Sequence, residues 1–170
     1  MSLTEAILSA ALLATSNTAP VEAADSSPTF TEPTIEVSGR RSRTSLPKWL
    51  DRSLAEAFET AADRLVESPE CRALFEPYSG DGSALLERTV YRSPATHRER
   101  EVCRHASAFT TVGSAVTRLC RSFSRLPPNL AAVVLIHEAL HFGGMPESES
   151  GKGAMTSLQI NQTVAQECDL

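Results

Sequence analysis

Aromatic residues are scarce, at 5% of 170 positions, so a core must be built mainly from Ala, Leu and Val. Lysine is nearly missing: Lys48 and Lys152 are the only two, and arginine supplies the rest of the basic charge. No apolar run approaches the roughly 18 to 20 residues of a membrane span, which excludes an integral membrane segment. Positive charge is not in surplus either. A net charge of −5 excludes nucleic-acid binding by bulk electrostatics. No internal repeat is present. What remains is 41% apolar residues on a length that suits one domain.

No two of the four cysteines form a CxxC pair, so the usual thiolate zinc spacing is absent. Cys71, Cys103, Cys120 and Cys168 are an even, dispersed set. In a small domain such a set fits two disulfides formed in an oxidising compartment, with three connectivities open; four buried free thiols are the alternative.

The first residues resemble an export signal. Ala6–Ala14 is a short apolar stretch and Val21-Glu22-Ala23 approximates a small-residue cleavage site, although Glu5 is the only charge before the stretch. Residues 1–23 are therefore expected to be a signal peptide, and the protein to be exported, periplasmic or secreted. Residues 24–45 are rich in Ser, Thr, Pro and Glu, with a basic Arg40-Arg41-Ser42-Arg43 patch. They carry too little apolar surface to offset ordering entropy and are expected to be a disordered linker.

The folded domain is expected over 46–170. Ser53-Leu54-Ala55-Glu56 has the form of a capping box, with Leu54, Phe58, Ala61, Ala62 and Leu65 at helical spacing behind it. Pro69 starts a shorter continuation with Cys71, Leu74 and Phe75, and Gly80-Asp81-Gly82 reads as a turn. Thr89-Val90-Tyr91 is a weak strand candidate. Ala108–Val112 and Ala115–Leu119 flank Gly113-Ser114 as a hairpin, which would bring Cys103 and Cys120 near its open end. Pro127-Pro128-Asn129 starts a helix over Leu130–His141, and Gly143-Gly144 stops it. Thr156-Ser157-Leu158-Gln159 opens a last helix whose Ile160, Val164 and Cys168 face the core. The fold class is α+β: an N-terminal helix, a small antiparallel hairpin or sheet, a central apolar helix and a C-terminal helix.

The chemistry concentrates in His137-Glu138-Ala139-Leu140-His141. Residues four apart lie on one helix face, so both imidazoles can reach one metal ion. Glu138 is rotated about 100° from His137, where it flanks the metal without ligating it and can take a proton from water. The run Ala131–Ile136 is apolar, so this helix is expected to be buried, and buried His and Glu need polar partners. Gly144 and Glu147 extend the pattern to HExxHxxGxxE. A glycine there can take positive φ and turn Glu147 back toward the metal as a third ligand, leaving a fourth position open. Glu167 is the next candidate for that ligand and Asp169 a poorer one.

His137, Glu138, His141, Gly144 and Glu147 resemble the zincin metallopeptidases, in a metzincin-type pattern with Glu in the last place. The stretch from Ala108 to Cys168 also looks like a group of small exported bacterial metallopeptidases. The resemblance implies a minimal zincin-like domain, with Zn²⁺ held by His137, His141 and Glu147 and Glu138 as general base. It also implies a peptide or protein substrate aligned on an edge strand, for which Ala115–Leu119 is the candidate. Met155 is the candidate for the methionine turn beneath the metal. No tyrosine follows the motif; Tyr78 and Tyr91 precede it, and His105 is the alternative oxyanion donor. The function expected is zinc-dependent peptide-bond hydrolysis. The alternative is a zinc-stabilised exported binding module without activity, marked by a fourth protein ligand such as Glu149 or Glu167.

Overall fold

A proline, not a hydroxyl, starts the first helix. In the computed structural model, which describes residues 46–78, 80–148 and 153–170, Pro47 is the N-cap of helix α1 (Lys48–Glu67). Ser53 is therefore inside the helix, and its hydroxyl donates to the Trp49 carbonyl at 3.3 Å. The expected capping box at Ser53 is corrected by this earlier start, in which the Pro47 carbonyl accepts from the Leu50 and Asp51 amides and so opens the helix. Of the expected stripe, Leu54, Phe58, Ala61 and Leu65 are buried and Ala62 is half-buried, and Leu50 and Ala57 join them. Each large side chain on that stripe stabilises by about 1.5–3 kcal/mol. The signal stretch 1–23 and linker 24–45 lie outside the described residues.

Ser68 caps α2 (Pro69–Ala73), its hydroxyl accepting the Cys71 amide. The following turn ends sooner than expected. Asp81 caps a further helix, α3 (Gly82–Arg88), so Gly82 belongs to a helix. A Cβ at Gly82 would stand 2.6 Å from the Phe75 ring and 2.9 Å from Leu65, so glycine lets these segments close on each other. Strand β1 (Val90–Arg92) follows, then α4 (His97–Val102), opened by a capping box of Thr96 and Glu99.

Strands β2 (Ala108–Thr110) and β3 (Val116–Leu119) form the expected hairpin, with Ala108 opposite Leu119 and Thr110 opposite Thr117. The sheet is mixed, not purely antiparallel. β1 pairs with β3 in parallel, Val90 opposite Val116, and the order is β1-β3-β2. β3 is thus the central strand, and the expectation that Ala115–Leu119 offers a free edge is corrected: β1 occupies its outer side. Among the described strands, β2 is the edge that packs against the central helix.

That helix, α5 (Pro128–Gly143), begins with Pro127 at the cap and Pro128 at its first position. A short 3-10 turn (Arg121–Arg125) precedes it. α5 is apolar all round and packs against α1, α3, α6 (Ser157–Glu167) and β2, so it is the core of the domain. Thr156 and Gln159 form the expected capping box on α6, and Ile160, Val164 and Cys168 are fully buried.

All four cysteines are paired, Cys71 with Cys168 and Cys103 with Cys120. The second pair closes the hairpin at its open end, where the Cys120 amide donates to the Ser107 carbonyl at 2.9 Å. The disulfides are compatible with an exported protein. No helix among the described residues is long and apolar enough to cross a membrane.

Candidate metal centre

The end of α5 places the histidines. Gly144 takes φ 109°, its amide donates to the His141 carbonyl, and the Met145 amide reaches back to the Leu140 carbonyl at 3.0 Å. This is a Schellman turn, and it needs a residue at ease with positive φ. Leu140 and Met145, the positions of its usual apolar pair, are both buried in the core and line one cavity. The reversal has two effects. The Met145 carbonyl accepts from His141 Nδ1 at 2.8 Å, and Glu147 Oε2 comes to 3.0 Å from His141 Nε2 and 3.5 Å from His137 Nε2. The two Nε2 atoms are 2.8 Å apart, with the rings edge-on at 64°.

The protons of these rings can be placed. The Met145 carbonyl can only accept, so His141 Nδ1 carries hydrogen, and in the neutral ring that ligates a metal Nε2 carries the lone pair. Asn161 Oδ1, on α6, is 2.8 Å from His137 Nδ1 and sets the same tautomer there. Burial, foremost, holds the His137 pKa below its ordinary value and keeps the ring neutral, although the bond to Asn161 works the other way. With both rings neutral, two lone pairs and the Glu147 carboxylate oxygen converge, an arrangement that a cation at their centre would stabilise.

His137, His141 and Glu147 form a group that could hold a metal ion, their ligand atoms all within 4.8 Å of one another. The donor spacing suits a small tetrahedral metal ion. Ligands at about 2.0–2.1 Å in a tetrahedron are about 3.3 Å apart, and the spacings of 2.8, 3.0 and 3.5 Å straddle that value. Both imidazoles also have the outer hydrogen-bond partners that histidine ligands characteristically have.

Glu138 is not part of this ligand group but lies beside it, close enough to feel the charges of His141 and Glu147. It is 5% exposed, and its Oε2 has no hydrogen-bond partner. Burial raises its pKa from 4.5 to about 7, opposed by a hydrogen bond from Thr110 and by the nearby His141. Glu138 and His137 line a polar cleft of about 210 Å³ with His105, Ser107, Ser157 and Asn161. A mostly apolar groove of about 380 Å³ adjoins it and shares Ser107, Val134 and Asn161 as walls; Leu130, Val133 and Ala165 complete its apolar side.

The other candidates fall elsewhere. Glu167 is absent from the metal-binding group, and its carbonyl accepts from Ser68 at 3.0 Å. Asp169 is exposed and lies 3.9 Å from Arg64. Glu149 is outside the described residues. Met155 packs against the core, with its carbonyl accepting from the Ser148 amide, which ties the Glu147 segment to the start of α6. Tyr91 is buried in the core and Tyr78 borders the cavity beside Met145. Asn161, Thr110 and the Met145 carbonyl were not evident from sequence. Asn161 adjoins the apolar stripe of α6 as an ordinary polar residue, and only tertiary packing brings it to His137. No protein-family model, curated protein or solved structure matches the chain.

Proposed function

We propose that this protein is a zinc-dependent peptidase of zincin type, with His137, His141 and Glu147 as ligands and Glu138 as general base. The observation that carries the reading is the convergence of two imidazole lone pairs and one carboxylate oxygen, with every Nδ1 already committed as a donor. The described residues supply three ligands, the number that leaves a position for water in catalytic zinc sites.

A zinc ion held by His137, His141 and Glu147 would supply Lewis-acid chemistry, lowering the pKa of a water toward about 7 and polarising a substrate carbonyl. Glu138 Oε2, buried and unpartnered, takes the proton of that attacking water and returns it to the leaving amine. A carboxyl whose burial brings its pKa to about 7 is suited to both transfers near neutral pH. His105, in the wall of the same cleft, is assigned to steady the carbonyl oxygen in place of the missing tyrosine. The β2 edge supplies main-chain partners for an extended substrate, and the apolar groove receives one of its side chains.

The test is Glu138→Gln. This variant should retain zinc and lose hydrolysis of a peptide library by at least about a hundredfold. Cleavage as fast as by the wild type, with zinc bound, would refute the base assignment.

A further inference from the structure

We infer that Asn161 is a positioning residue for the metal, which it serves by fixing the tautomer and ring angle of His137. This rests on the reading of His137, His141 and Glu147 as ligands.

The two histidines are supported differently. His141 is oriented by a carbonyl of its own segment, only four residues on. His137 has no such local partner; its Nδ1 meets Asn161 Oδ1 at 2.8 Å, a residue 24 positions later on another helix. His137 is 4% exposed, so water is poorly placed to substitute. Asn161 as acceptor puts the hydrogen on Nδ1 and leaves the Nε2 lone pair facing His141 and Glu147. The reverse arrangement, with the amide donating, would put a proton on Nε2 and block that ligand position. Asn161 is itself well held. It lies in the second turn of α6, after the Thr156–Gln159 capping box, and the far end of that helix is bonded through Cys168 to Cys71.

The removal of such an outer partner typically weakens metal binding by about 10–100-fold. Asn161→Leu keeps the approximate shape, removes the acceptor and improves helix propensity, so α6 should still form. Asn161→Asp keeps an acceptor oxygen. Zinc affinity of the full chain would be measured by competition with a chromophoric chelator. The ring tautomer would be read by ¹⁵N NMR on metal-free protein, and folding checked by circular dichroism.

Expected are a 10–100-fold loss of affinity in Asn161→Leu and recovery to within about threefold of wild type in Asn161→Asp. The Nδ1–H tautomer of His137 should be present in wild type and in Asn161→Asp, and lost in Asn161→Leu. A merely structural residue would not move that signature. Wild-type affinity in Asn161→Leu, equal losses in both variants, or an unchanged tautomer would each overturn the inference while leaving the metal site standing. Failure of the wild type to bind zinc would remove the metal reading, and the inference with it.

Discussion

Glutamine at position 138 should make the metal-free protein more stable, increasingly so as pH rises. Glu138 is buried with an unpartnered oxygen, and its pKa is raised from 4.5 to about 7. Its proton is thus held more tightly in the folded state than in the unfolded one. The associated stability is fully present below pH 4.5 and is lost as pH rises through about 7. At about 1.36 kcal/mol per unit, the loss over that window comes to about 3 kcal/mol. Glutamine has a similar shape and no proton to release, so Glu138→Gln escapes this penalty. Other consequences of an amide at this site are alike at both pH values and cancel in the comparison.

The assay is urea unfolding of both proteins in chelator at pH 5 and pH 8, analysed as two-state transitions. The variant should gain about 2–3 kcal/mol on the wild type between the two conditions, because some of the loss has already accrued at pH 5. A difference constant to within about 0.5 kcal/mol would show that Glu138 ionises as freely folded as unfolded. The desolvated carboxyl assigned as general base would then not exist. The expected result also has a functional meaning: the residue that makes the site reactive is one the fold would be steadier without.

Three other outcomes are expected. His141→Ala should lose zinc, and stoichiometric zinc in that variant by elemental analysis would overturn the ligand set. Gly144→Ala meets open space around its Cβ but must adopt φ 109°, a strain of about 1–2 kcal/mol. Partial relaxation of the turn should displace Glu147 and weaken zinc binding by about tenfold in a chelator competition; unchanged affinity would show that the turn does not deliver Glu147. The loss of Cys71–Cys168, which spans 97 residues, should destabilise by up to about 4.7 kcal/mol, against about 3 kcal/mol for Cys103–Cys120, which spans 17. Thermal melts of the two double-serine variants giving the opposite order would refute this chain-entropy argument.

The local features were legible because their causes are local. The i, i+4 histidines, the glycine turn at Gly144 and the Thr156 capping box each depend on a few adjacent residues, and each lies where the pattern put it. Ser53 misled because the same Ser-x-x-Glu pattern fits a helix interior once Pro47 has started the helix earlier. α4 has a Thr96–Glu99 box but no apolar stripe, and none of its residues is buried, so no periodicity marks it in the sequence. The pairing of β1 with β3 depends on a crossover through α4 and β2, which no periodicity records. Asn161 is the clearest case: its role comes entirely from how α6 lies on α5.

On the peptidase reading proposed above, the brevity of β2 would also limit what the cleft can process. Three residues make a margin of about 10 Å, enough for only a couple of main-chain contacts with an incoming strand. A folded protein would have to unravel a segment to reach it, at considerable expense in lost structure. Loose tails, exposed loops and short oligopeptides present such a segment already, and on that reading they are the clientele this margin would fit.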